Sequence, residues 1–494
     1  MNGNSAKTVE SCFVQSFSPD LNIRKQAETA LKSFEKPGFT IMLLEITGNQ
    51  SNATSQAAVI YLKNYIQKNW HLNENDSVVK SEERKQIKQI ILKMMLKSTN
   101  IVSNFLKAII QIICKTDFPD NWQNLMPELI QNLSTNDIAI VKGSLEVMDS
   151  IFERYQNTER SLKLDKELLY LSKILVNPLT DFFNKTMSLL SSGNSDQFFS
   201  VMSPMLGAFK KLITLELLES IESKSHIWLG GIHKLLKHQN EQDVSLWPDL
   251  SIQVKKEILQ IVDLFCEKYD DCVSYSKAEK EFLNLTFQIL SKIPTEKRYD
   301  DLVIEGIKYV TQVLAKPNTK NIINLSQIFK VLLENVVFPN IFLRNEDIEE
   351  FKYNPMEYYR KDLENSINLT RRKAAFDLIQ VLNNLSESEI TKTITNYVSQ
   401  LNKEYVENPS QNWLKKDAAL FLIISISVKS RTERYGVMRV TDNFDVKTFL
   451  ANNVFPELTG SSSNNILRAD CLKILIYFRS HIENSNFDNV SKLL

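Results

Sequence analysis

Apolar residues recur at helical spacing along almost the whole of this chain, in paired segments separated by short polar breaks. In Arg24–Phe34, RKQAETALKSF, the residues Ala27, Ala30, Leu31 and Phe34 share one helical face. Pro19 and Asp20 precede this stretch as a helix start requires, and Lys36-Pro37-Gly38 ends it. Helix, break, helix then continues at about 40–47 residues per pair, the period of HEAT and armadillo arrays. Pairs are expected at about 5–35, 38–70, 79–117, 119–156, 163–216, 217–270, 275–316, 322–386, 390–430 and 443–481. Each pair leaves an apolar face that only the next pair covers. Stacking therefore predicts an all-α solenoid of about ten helical hairpins with a concave inner surface.

Two tryptophan-bearing segments sit at equivalent places in this pattern. Ala58–Trp70, AVIYLKNYIQKNW, closes a long amphipathic helix. Cys114–Ile130, CKTDFPDNWQNLMPELI, spans a helix end, an Asp-Phe-Pro break and the next helix start. Trp70, Trp122 and Trp413 all fall at expected helix ends, where a large buried ring would staple adjacent repeats. Lys63, Asn64 and Lys68 lie on the polar side of the first of these helices. In a solenoid the second helix of each pair lines the inner surface, so these side chains would meet a protein partner; the alternative is a simply solvated face.

Composition agrees with this architecture. Glycine (11) and proline (13) are scarce in 494 residues, which disfavours the tight turns of sheet proteins. The 59 basic and 59 acidic residues cancel, so the basic excess of a general nucleic-acid binder is absent. The N-terminus, MNGNSAKTVE, has no apolar signal core, and the longest apolar run, about 418–428, is too short to span a bilayer. Cys12, Cys114, Cys266, Cys272 and Cys471 are unpatterned and read as buried free thiols of a reducing compartment.

Catalytic patterns are missing. There is no Gly-x-x-x-x-Gly-Lys-Ser/Thr loop, Gly-x-Gly-x-x-Gly turn or His-Glu-x-x-His pair. His226, His233 and His238 are spaced seven and five apart, which does not stack them on one helical face, and Cys266 with Cys272 lacks a completing pair. No cofactor, metal or enzymatic activity is expected.

One segment breaks the rhythm. From Pro339 to Thr370 the chain reads PNIFLRNEDIEEFKYNPMEYYRKDLENSINLT, longer than ordinary helix–helix connections. It holds Glu346, Asp347, Glu349 and Glu350, then Phe351, Tyr353, Tyr358 and Tyr359, and is followed by Arg371, Arg372 and Lys373. A charged, aromatic loop inside a regular array is expected to serve a function; the alternative is a solvated insertion packed on its own repeat. The chain ends at SKLL without a polar capping helix, which predicts a fragment or a covering partner surface.

RKQAETAL followed by AVIYLKNYIQKNW resembles the importin-β N-terminal domain shared by nuclear transport receptors of the karyopherin superfamily. Within that superfamily the chain is most similar to the CAS-type exporters, which return importin-α from nucleus to cytoplasm. This similarity is carried by Tyr61–Trp70, Lys115–Leu129, Asn354–Ile379, Lys403–Ile423 and Phe449–Leu458, in order along the chain, and is looser over about 165–291. Where the family motif has an acidic-glycine pair, Glu364 is here followed by Asn365 and Ser366. The family chain is nearly twice as long, so this sequence corresponds to its N-terminal half.

The resemblance implies a receptor whose first repeats, at 1–156, face the small GTPase Ran in its GTP form. Central repeats follow at 157–338, an insertion at 339–370 and further repeats at 371–494. The insertion, after the first helix of the eighth repeat, would contact Ran and act as a hinge or latch. Importin-α and Phe-Gly nucleoporin repeats are the other implied partners, with shuttling between nucleus and cytoplasm through nuclear pores. Candidate partner-binding residues are Lys63, Asn64, Lys68, Glu346, Asp347, Glu349, Glu350, Tyr358, Arg360, Arg371 and Arg372. Two alternatives stay open: an import receptor of the same superfamily that releases cargo on meeting Ran-GTP, and a generic HEAT scaffold with no Ran binding.

Overall fold

Helices account for nearly all of the described structure. The computed structural model describes residues 3–48, 52–72, 77–98, 100–156, 158–190, 195–238, 243–317, 325–358, 370–432, 434–442, 444–459 and 464–482. Their contacts divide the chain into two compact units, Met1–Ile232 and His233–Leu494.

In the first unit the first four helical pairs are Gly3–Ser16 with Leu21–Ser33, Phe39–Gly48 with Asn52–Asn69, Ser81–Lys97 with Asn100–Asp117, and Leu125–Asn132 with Ile138–Phe152. All lie within a few residues of the ranges expected from sequence. Local chemistry marks the start of two of these helices. Asp20 accepts the Asn22 amide at 2.7 Å, and Asp137 accepts from Ala139 and Ile140. Glu83 reaches across from the third pair and accepts the amides of Gly38 and Thr40 at 3.0 and 3.1 Å, so one repeat caps a helix of another. The first helices of the first three pairs pack one on the next, and so do the second helices of the last three, as a HEAT array requires.

Aromatic side chains fill the seams. Phe39 meets Tyr61 and Tyr65 edge-on at 5.8 and 5.5 Å. Trp228 is stacked between Phe183 and Phe209 at 4.3 and 3.9 Å and donates its indole N–H to Thr180. Gly231 lies against Phe183 so closely that a Cβ there would sit 2.5 Å from the ring.

Beyond residue 156 the expected pairing slips. The range 163–216 holds three helices, Leu162–Ile174, Val176–Met187 and Ser195–Leu212, and not two. The extra break falls at Leu175, just before Asn177-Pro178, whose proline lacks an N–H and sits in the first turn of the new helix.

In the second unit, Asp249–Lys268 packs on Asp300–Ala315, which packs on Arg371–Leu385; the latter packs on Trp413–Ser427, and that helix on Asn465–Tyr477. Helix Leu325–Leu332 runs on into a π-turn at Leu333–Val337 immediately before the long connection. That connection is not a bare loop: Asn345–Tyr353 is helical. Its start is fixed by Asp347, whose carboxylate accepts the backbone N–H of Arg344 at 2.9 Å.

One element was not expected at all. Strands β1 (Val428–Thr432) and β2 (Gly436–Val440) form an antiparallel two-stranded hairpin, the only sheet among the described residues. Its turn uses Gly436 at φ +78°, and a Cβ there would meet the Tyr477 carbonyl at 2.4 Å. The all-α reading otherwise holds. All five cysteines are buried and unbridged. Among the described residues, no helix is long and apolar enough to cross a membrane.

Candidate functional site

Two groups of candidate residues emerge, one in each unit. In the first unit, helix Asn52–Asn69 buries Ser55, Ala58, Val59, Leu62, Tyr65, Ile66 and Asn69, the spacing of a single helical face. The opposite face carries exposed Asn64 and Lys68 and half-buried Lys63, whose amine donates to Asn64 Oδ1 at 3.4 Å. Trp70, at the end of the helix, is the expected staple. It is 2% exposed, donates its N–H to Asp117 at 3.2 Å and lies under the Arg84 guanidinium at 5.0 Å. Asp117, which also takes Lys88 at 2.7 Å, thus ties this helix end to the next pair. Trp122 is buried as expected, but Trp413 is only half-buried and is no core staple.

In the second unit, the candidate Arg371 and its neighbour Arg344 meet on one acidic residue. Asp300, at the first position of its helix, binds Arg344 in a bidentate pair at 2.7 and 3.0 Å. Its Oδ1 also accepts from Arg371 at 2.6 Å. Arg371, 6% exposed, further donates to the carbonyls of Pro294 and Glu296 and to Asn340. The hydrogen bonds to Asp300 hold the Arg344 guanidinium above its ordinary pKa. For Arg371, burial pulls downward and Asp300 opposes it.

Arg371, Arg372 and Lys373 occupy the first turn of a helix, where the macrodipole disfavours cations. Each is compensated by a carboxylate: Asp300 for Arg371, Asp417 at 3.0 Å for Arg372, and Asp377 for Lys373. Arg372 also lies over the Phe421 ring at 4.6 Å. Behind Arg372, the buried Asp417 shares a hydrogen bond with Asp470, whose Oδ2 reaches no solvent. Burial first, and the Asp417 charge second, push the Asp470 carboxyl well above the usual range; Arg372 pulls the other way.

The four acids of the insertion divide. Glu346 and Glu349 are exposed; Asp347 is spent on capping and on Arg344. Glu350 and Tyr358 line a cavity of about 380 Å³ together with Arg344, Arg371 and Arg372. Tyr358 meets Phe351 edge-on at 5.4 Å. Arg360 lies outside the described residues, as do Tyr359, Glu364, Asn365 and Ser366. Sequence reasoning missed Asp300, Asn340, Asp417 and Asp470. Asp300 lies 71 residues from Arg371 and Asp417 lies 45 from Arg372, so no local spacing could have linked them. The one hint was three cations crowded at a helix start. No group of residues suited to hold a metal ion occurs among the described residues.

Known proteins of similar sequence and fold agree on the lineage. A family model described as Cse1 matches residues 151–494, and one for the importin-beta N-terminal domain matches residues 27–97. Exportin-2 of Xenopus laevis is 30% identical over 481 residues, 94% of this chain and 49% of its own. Exportin-2 of Homo sapiens is 29% identical over 493 residues, 96% of this chain and 50% of its own. The chain thus spans about half the length of the curated relatives it matches. A solved structure of the exportin Cse1 in its cargo-free, cytoplasmic state superimposes with a TM-score of 0.91 at 25% identity, over 99% of this chain and 54% of that one. Importin beta superimposes at 0.56 with 15% identity over 95% of this chain and 50% of its own, a likeness of fold alone. The chain belongs to the Cse1 family of importin-β-type karyopherins, the nuclear transport receptors built from HEAT repeats.

Proposed function

We propose that this protein is a nuclear export receptor that binds importin-α cooperatively with Ran in its GTP form and returns it to the cytoplasm. The reading rests chiefly on the Cse1 match across residues 151–494, supported by a fold that follows a cargo-free exportin along nearly the whole chain. Passage through nuclear pores would use weak contacts with Phe-Gly nucleoporin repeats, and the receptor would shuttle between nucleus and cytoplasm.

The residues fit the division of labour such a receptor needs. It supplies surface, not chemistry: the sequence has no phosphate-binding loop, and the GTPase brings its own. On the first unit, the exposed face with Lys63, Asn64 and Lys68 offers cations and an amide on a rigid helix, suited to an acidic patch on Ran. In the second unit, the Asp300–Arg344–Arg371 knot holds the start of the insertion helix and leaves Glu346 and Glu349 outward for a partner. Cooperative loading then requires that Ran-GTP and importin-α each bind one conformation better than another, since a ligand shifts an equilibrium only by its differential affinity.

Direct binding of Ran tests this reading. Ran loaded with a non-hydrolysable GTP analogue is expected to bind more tightly than Ran-GDP. The double substitution Lys63→Glu/Lys68→Glu is expected to weaken the GTP form about tenfold, ~1.4 kcal/mol. Equal affinity for the two nucleotide states would overturn the proposal.

A further inference from the structure

One strand of the hairpin that interrupts the helical array lines the cavity beside the insertion. Val428, Lys429 and Ser430 of β1 line that cavity, whereas no residue of β2 does. β2 is instead held from behind: the Val437 carbonyl accepts the Ser480 hydroxyl at 2.8 Å, and Gly436 lies against the Tyr477 carbonyl. β1 pairs with β2 alone among the described residues, with register shifts between Val428 and Ser430 and between Ser430 and Arg431, and its other edge joins no described strand. An unpaired strand edge is a template for a further strand.

The walls of the cavity indicate what that strand would be. Its apolar lining includes Phe376, Phe421 and Ile424. Beside these stand six basic side chains, among them Lys373, Lys429 and Lys473, against two acidic ones, Asp347 and Glu350. The carboxylates that pair Arg372, Lys373 and Lys429, namely Asp417, Asp377 and Glu387, do not line the cavity. The lining thus carries more basic than acidic side chains beside its apolar ones, with Arg344, Arg371, Arg372, Lys373 and Lys429 each ion-paired to an acid of the chain.

We propose that the open edge of β1 is a docking site for an extended acidic and aliphatic segment of a partner protein, which adds a third strand to the hairpin. Backbone hydrogen bonds to the β1 edge would fix the segment's direction. Alternate side chains would fall onto the apolar lining and toward the lysines, because successive residues of a strand point to opposite faces. The inference does not depend on the exporter reading, since neither Ran nor importin-α enters it.

The test is fluorescence anisotropy on the 494-residue protein with a labelled peptide about eight residues long, of alternating glutamate and valine. This peptide is expected to bind, and its lysine-for-glutamate counterpart to bind about tenfold more weakly. Of two versions N-methylated at odd or at even positions, one is expected to lose binding, because it cannot donate to the strand edge. Lys429→Ala/Lys473→Ala is expected to weaken binding about tenfold while leaving thermal unfolding unchanged. Equal binding of acidic and basic peptides, or indifference to both N-methylation patterns, would overturn the proposal. So would binding seen only after residues 359–369 are replaced by a Gly-Ser linker, which would make the chain's own segment the occupant. A concentration-dependent dimer lost in the double variant would likewise overturn it, by assigning the edge to a second copy.

Discussion

At the scale of single residues, the cations that start the helix after the insertion are held by acids distant in sequence. Arg371 and Arg372 were candidates for partner contact, yet each side chain is committed within the chain, to Asp300 and to Asp417. Removing one member of a buried, hydrogen-bonded pair strands the other charge. Arg371→Ala is therefore expected to destabilise the protein by about 3–5 kcal/mol in denaturant unfolding; a loss under about 1 kcal/mol would show that the knot is not structural. Asp470 makes the opposite prediction. Burial holds its folded-state pKa well above the ordinary carboxylate value, so between the two the unfolded chain gives up a proton that the folded chain keeps. Stability from this group therefore falls as pH rises from about 4 toward the folded-state pKa. Asp470→Asn, neutral at every pH and able to donate to Asp417, is expected to be more stable than the parent at pH 8 and to lose most of that advantage near pH 4. A stability difference that does not change between the two would contradict this account of the pair.

At the scale of elements, legibility followed the strength of local signals. The first four helical pairs were readable because proline, glycine and capping acids mark their ends, as at Asp20 and Asp137. The slip beyond residue 156 came from a break at Leu175 that carries no glycine and only a first-turn proline. The hairpin was missed because VKSRT and GVMRV are too short to establish alternation, and the strand follows directly on a buried helix, Trp413–Ser427. Its single clear signal was Gly436, with its positive φ and its close approach to Tyr477. Gly436→Ala is expected to cost at least about 1–2 kcal/mol from backbone strain alone, with a further loss from the contact at the Tyr477 carbonyl. A variant that unfolds at the parent's temperature would show that the hairpin tolerates another turn. The insertion was recognised as unusual from its length and charge. Its helix, and the split between exposed Glu346 and Glu349 and engaged Asp347, depended on contacts with Asp300 and Arg344 that only the fold brings together.

At the scale of the whole molecule, the period of the apolar pattern was enough for the fold class, because a helical pair that cannot bury its own face forces stacking. The partners were not legible from period or composition. They rested on the resemblance carried by segments such as Tyr61–Trp70 and Asn354–Ile379, and the match to the Cse1 family now stands behind that lineage. What distinguishes an exporter from an importer of similar architecture is the sign of one coupling free energy, which no single conformation displays. The most direct measurement is a titration of labelled importin-α into this protein, with and without Ran bound to a non-hydrolysable GTP analogue. The exporter account predicts that Ran-GTP tightens importin-α binding, by about 5–150-fold if the coupling is of ordinary size. Importin-α affinity that is unchanged or weakened by Ran-GTP would contradict it.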